Sequence, residues 1–180
     1  MLHISYSAAL LAITLGWILV RGWICIRQRR VCWRRELELV PVWICLIVVA
    51  RFTFFPFSRV NGRVQPLVLD PGQIFPFRIN PVPIVYLMDY EIRREALINF
   101  IGNTAMFIPV GLIWPSVFRR LNTLPKAMAA GAGFSLCIEI LQLPFFARVS
   151  DIDDLILNSL GYLMGYGIYA LARRIVRKKA

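Results

Sequence analysis

Glu139 and Gln142 stand three residues apart, so on a helix they share a face. Asn99 and Asn103 do the same at a spacing of four. Asp151, Asp154 and Asn158 fall at i, i+3 and i+7, which is one stripe if a helix begins early enough, with Asp153 offset from it. Arg51 and Arg148 contribute guanidinium groups. Carboxylates can serve as general acids, general bases or ligands of a hard divalent cation. Glu139, Asp151 and Asp154 are the candidates for catalysis; no metal is expected, and Asp151 and Asp154 would be the first candidates to hold a divalent cation. The asparagines and Gln142 offer hydrogen bonds, and the arginines suit phosphate or carboxylate. Histidine-based chemistry is nearly excluded, because His3 is the only histidine and lies at a terminus expected to fray. Cys25, Cys32, Cys45 and Cys137 show no close pair spacing, so neither disulfides nor zinc are expected. No cofactor is implied.

These polar groups interrupt an apolar chain. Of its 180 residues 58% are hydrophobic and 17% charged, against roughly 45–50% hydrophobic in soluble domains. The net charge of +11 would suggest nucleic acid in a soluble protein, but too little polar sequence exists to cover the apolar mass. The composition excludes a soluble enzyme, a disordered basic tail and a secreted disulfide scaffold. It predicts a single-domain, all-α integral membrane bundle. About five stretches reach the roughly 20 apolar residues that a crossing needs: residues 4–26, 37–56, 96–118, 126–147 and 154–172. One long extracytoplasmic loop, residues 57–95, joins the second to the third. The first span lacks the basic start and cleavage site of a signal peptide.

The basic residues predict orientation. Arg27, Arg29, Arg30, Arg34 and Arg35 fall between spans one and two, Arg119, Arg120 and Lys126 between three and four, and Arg173, Arg174, Arg177, Lys178 and Lys179 after five. These thirteen share one side, and Arg59, Arg63, Arg78, Arg93, Arg94 and Arg148 the other. The positive-inside rule then places the N-terminus outside and the C-terminus in the cytoplasm. The excess charge is mainly a topology signal and gives an inner face suited to anionic lipid, not to nucleic acid.

Charges within spans carry more information, since each costs at least about 2.5–3.5 kcal/mol on insertion scales. Arg21, near an inner end, can snorkel. Arg51 and Glu139 lie 14 and 13 residues beyond the inner ends of spans two and four, at depths of about 21 and 20 Å. An ion pair between them is the economical expectation; in the simpler reading it only locks two helices together. Asn99, Asn103, Gln142, Arg148 and the aspartates gather at the same outer level. Simpler roles exist for these too: Asp151 or Asp153 as a helix cap, Asn103 and Asn158 as interhelical glue. Gly161 and Gly165, with Gly167 beyond, and Ala129 and Gly133 form small-residue steps. Pro109, Pro115 and Pro144 are expected to kink or end their helices. Within the loop, Pro66, Pro71, Pro76 and Pro81, with Pro83, forbid a helix, and Val64–Leu69 with Ile74–Ile79 are expected to form a hairpin around Asp70–Gln73. Ile74, Phe75 and Phe77 are expected to bring the loop back toward the bundle or the membrane interface.

In order, these residues resemble a known pattern. Asn99-Phe-Ile-Gly-Asn103 followed by Phe107-Ile-Pro109-Val-Gly111, then Glu139-Ile-Leu-Gln142, then Arg148-Val-Ser-Asp151-Ile-Asp153-Asp154 with Asn158, Gly161 and Gly165, are similar to the motifs of VanZ-like membrane proteins. The core of the resemblance runs from Asn99 to Gly165, and Arg51 and Ile74–Phe77 fit the wider layout, so the family-like region extends over about residues 51–170. It implies a bacterial cytoplasmic-membrane protein and, near the family's namesake, resistance to teicoplanin-type lipoglycopeptides. The family implies no settled activity.

Two functions compete. In the first, an outer-leaflet pocket binds a lipidated or lipid-linked envelope ligand, with membrane lipids as neighbours. In the second, an intramembrane enzyme uses the carboxylates on lipid-linked envelope precursors. A transporter is disfavoured by five spans without an inverted repeat.

Overall fold

Inside a bilayer every backbone N–H and C=O must be satisfied within its own segment, so apolar stretches of this length become helices. A computed structural model describes residues 1–55, 59–60, 62–75, 79–80, 93–146, 148 and 150–179. It contains five long helices, each apolar and long enough to cross a membrane: α1 (Tyr6–Arg27), α2 (Trp33–Phe54), α3 (Arg93–Val117), α4 (Leu124–Gln142) and α5 (Ile152–Lys179). At most 28% of each helix's most apolar window is buried within the protein. That leaves a large apolar area for lipid, as an integral membrane bundle requires.

The chain forms two compact units. The first comprises residues 1–70 and 145–147. Here β1 (Leu2–Ile4) pairs antiparallel with β4 (Leu67–Leu69), placing His3 opposite Val68. The expected frayed terminus is therefore a strand, because Leu67–Leu69 offers it a partner. Phe145 bridges Leu69, and the Phe146 N–H donates to the Val68 carbonyl at 3.1 Å. Among the described residues the expected hairpin is not seen: Leu67–Leu69 pairs with β1. A shorter hairpin is present, β2 (Arg59–Val60) pairing antiparallel with β3 (Arg63–Val64), with Gly62 between them at φ 73°. Asn-Gly is the strongest short hairpin signal, since such turns need positive φ. Pro76, Phe77, Pro81 and Pro83 lie outside the described residues.

In this unit α1 buries no residue, whereas α2 buries Leu39, Val42, Cys45, Val49 and Thr53 along one stripe. Arg21, near the end of α1, reaches Glu36. Its Nε donates to Glu36 Oε2 at 2.9 Å, and Nη2 pairs with Glu36 Oε1. Because α2 begins at Trp33, Glu36 stands in its first turn, within reach of α1.

The second unit comprises residues 71–144 and 148–180. Its helices α3 and α5 run parallel in close backbone contact, and α4 runs antiparallel to both. Three glycines permit the approach. A Cβ on Gly111 would collide with the Tyr162 carbonyl, one on Gly161 with the Thr104 carbonyl, and one on Gly165 with the Ile108 carbonyl. On α4 the small face is Ala127 and Gly131, both buried, with a Cβ on Gly131 falling 2.8 Å from the Tyr162 ring. The expected Ala129–Gly133 step is not the packed one: Gly133, like Gly167, has nothing within 4 Å. Phe107, Val110 and Tyr162 are fully buried. Trp114 meets Phe134 at 4.8 Å and Tyr162 at 6.1 Å.

Neither Pro109 nor Pro115 ends α3; neighbouring helices tolerate such prolines in membranes, where an open backbone is costlier. Pro144, lacking an N–H, follows the end of α4 by two residues. The helix therefore stops five residues before the expected boundary at 147, and the chain turns to β6 (Ser150–Asp151), which pairs in parallel with β5 (Ile79–Asn80).

Candidate functional site

The site is built where α4 ends and α5 begins. Ala127, Gly131, Ser135, Ile138, Glu139 and Gln142 form the buried face of α4. This face carries Glu139 and Gln142 inward, each 4% exposed. Glu139 Oε2 accepts the Asp151 N–H at 3.0 Å. Glu139 Oε1 has no hydrogen-bond partner among the described residues.

Asp151 lies in β6 just before α5, so the three-residue stripe with Asp154 and Asn158 loses its first member. Asp151 instead acts as a cap: its Oδ1 accepts the Asp153 N–H at 2.9 Å. Its Oδ2 accepts from Asn80 Nδ2 at 3.3 Å. Asp153 and Asp154 occupy the first turn of α5, where negative charge suits the helix dipole. Asp154 turns toward α3, and its Oδ1 accepts from Asn103 Nδ2. Arg148 sits in the connecting turn. Burial lowers its guanidinium below the ordinary arginine value, and the Asp154 carboxylate opposes that shift. Asn158, 1% exposed, donates from Nδ2 to Ser135 Oγ at 3.0 Å, and its Oδ1 has no partner among the described residues.

Glu139, Asp151, Asp153, Asp154, Asn103 and Arg148 thus come together where α4 ends and α5 begins, with Gln142 a turn above Glu139 and Asn158 a turn further along α5, bonded to Ser135. Asn99 is exposed. Arg51 belongs to the first unit, where Nη1 donates to the Phe55 carbonyl at 3.1 Å and the guanidinium lies over the Tyr6 and Phe52 rings at 5.5 and 5.6 Å. The expected Arg51–Glu139 pair would bridge the two units. Sequence reasoning missed Ser135, whose signal was its place four residues before Glu139 on the same face. It also missed Asn80, which is 71 residues from Asp151 and gave no local signal.

Glu139, Ser150 and Asp151 line a pocket of about 220 Å³ whose other walls are Leu136, Ile140, Leu143, Ile152, Leu155 and Ile79. An acidic floor in an apolar wall suits an amphiphile. No group of three or more His, Cys, Asp or Glu that could hold a metal ion occurs among the described residues.

The sequence profile of the VanZ/LLP1 family matches residues 42–173, which is most of the chain and includes every one of these polar residues. The chain belongs to the VanZ/LLP1 family. It is 35% identical over 81 residues to Protein VanZ of Enterococcus faecium, a match covering 45% of this chain and 50% of that protein, so it spans half of that relative's length. It is 33% identical over 133 residues to the uncharacterized membrane protein YwnJ of Bacillus subtilis (strain 168), covering 72% of this chain and 91% of the relative. No solved structure matches. As a VanZ/LLP1 protein with five apolar helices, the chain is a multi-pass membrane protein.

Proposed function

We propose that this VanZ/LLP1 protein acts in the bacterial cell envelope by holding part of a lipidated or lipid-linked molecule in the Glu139 pocket, and that teicoplanin-type lipoglycopeptides are among its ligands. The observation that carries the reading is the buried Glu139 carboxylate, with one oxygen lacking a partner among the described residues, in a pocket whose walls apart from Ser150 and Asp151 are apolar. An unsatisfied buried acceptor costs about 1–3 kcal/mol, and a hydroxyl or ammonium on the ligand would remove that cost. The pocket is smaller than the roughly 300–1,000 Å³ that encloses a drug-sized molecule. It therefore takes an acyl segment and its adjoining polar group, not a whole glycopeptide. Asp151 and Asp154 already accept hydrogen bonds from the protein, which fits a binding role better than proton transfer.

Expression in a drug-sensitive bacterium tests this. The wild type is expected to protect against teicoplanin more than against vancomycin, and Glu139→Gln or Asp154→Asn to remove the difference. Equal behaviour of wild type and variants at matched membrane levels would overturn the site assignment. Hydrolysis or transfer of a lipid-linked precursor by purified wild type, lost in Glu139→Gln, would instead establish the enzymatic alternative.

A further inference from the structure

The far end of α5 carries a second cavity, of about 190 Å³, lined by Asn122, Tyr166, Tyr169, Arg173, Arg174 and Arg177. The α5 members recur at helical spacing along one face. Tyr166 fixes the wall, its hydroxyl donating to the Asn122 carbonyl at 3.1 Å, and the Tyr169 ring lies 6.1 Å from that of Tyr166. Arg173 is half-buried, and Arg174 and Arg177 are exposed. Among the described residues no acid lines the cavity, and the sequence has no Asp or Glu from 96 to 138 or from 155 to 180. Three guanidiniums thus share a concave site, with no carboxylate in its wall among the described residues.

Length places this site relative to the membrane. Helix α5 has 28 residues, about 42 Å, against a hydrocarbon core of about 30 Å. Arg173 lies 21 residues beyond Ile152, or about 32 Å along the axis, so a hydrocarbon core that begins at Ile152 ends just before it, at the edge of the headgroup layer. Tyrosines just inside that boundary and arginines just beyond it match the interfacial order of side chains. Guanidinium binds phosphate through paired hydrogen bonds, and a basic pocket beside a membrane helix can select a headgroup where a flat basic tail only attracts charge.

We infer that this cavity is a binding site for the phosphate of an anionic phospholipid headgroup. It is separate from the Glu139 pocket and does not depend on the function proposed for it.

The test uses the full chain in neutral detergent, titrated with short-chain phosphatidylglycerol, short-chain phosphatidylcholine or inorganic phosphate. Phosphatidylglycerol is expected to bind the wild type most tightly. Arg173→Gln/Arg177→Gln should weaken it roughly tenfold or more, the loss expected for charge-assisted contacts. Arg173→Lys, which keeps the charge but not the paired geometry, should fall between. Arg29→Gln/Arg30→Gln removes the same charge from the α1–α2 turn and should leave the affinity nearly unchanged. Circular dichroism and gel filtration check that each variant stays folded; Arg177→Gln alone, on an exposed surface, serves if the double variant does not. Equal weakening by the two double variants would overturn the pocket in favour of diffuse attraction. Inorganic phosphate binding as tightly as phosphatidylglycerol would overturn the lipid as its source.

Discussion

Glu139 combines two roles that substitution can separate. Its Oε2 holds the Asp151 N–H, while Oε1 has no protein partner among the described residues. Glutamine keeps an acceptor oxygen and nearly the same shape; leucine keeps neither. Glu139→Gln is therefore expected to retain thermal stability in detergent, while Glu139→Leu loses about 1–3 kcal/mol by stranding the Asp151 N–H. Both should lose ligand binding, and equal stability of the two would sink the assigned bond. The Arg21–Glu36 pair gives a second test, since each side chain is only about a fifth exposed, 20% and 23%. Arg21→Met or Glu36→Met alone should lower the melting temperature, at a cost of about 1–3 kcal/mol after allowing for partial exposure. The double variant should recover much of that loss; additive losses would show that the charges do not interact. Glu139, Asn103, Asp154 and Asn158 were legible in the sequence because polar groups in an apolar span are conspicuous. Glu36 was not, because a span drawn from hydropathy begins after it, whereas the helix begins before it.

Helix packing was legible only in part, and composition explains the difference. On α5, glycines at 161 and 165 stand among larger residues, so the face they define is unambiguous. On α4, Ala127, Ala129, Ala130, Gly131, Ala132 and Gly133 offer several small-residue steps, and only the rotation of the helix selects Ala127–Gly131. The α3–α5 contact has a sharp consequence. Gly165→Ala puts a methyl group against the Ile108 carbonyl, and overpacking of this kind costs about 1–3 kcal/mol. Gly167→Ala meets nothing within 4 Å and should be neutral or stabilising by about 0.5–1 kcal/mol through helix propensity. Comparing the two melting temperatures checks the packed face of α5, and a reversed order would mean that α5 is rotated. The β5–β6 pairing had no comparable signal, because a two-residue parallel ladder between segments about 70 positions apart leaves no periodicity to read.

At the scale of the molecule, composition established a membrane protein, and the pattern of charge carries one claim more: which end faces out. Thirteen basic residues on one side against six on the other predict a cytoplasmic C-terminus. Free cysteines make this testable. Cys32, exposed in the α1–α2 connection, belongs to the predicted cytoplasmic side. Phe75, 71% exposed, belongs to the predicted outer side. In a background with Cys25, Cys45 and Cys137 replaced by alanine, a membrane-impermeant maleimide applied to intact cells should label Phe75→Cys but not Cys32. Permeabilised cells should label both. The reverse pattern would invert the protein. It would also move the Glu139 pocket to the inner leaflet and the arginine cavity of α5 to the outer one, away from the leaflet where lipoglycopeptides arrive.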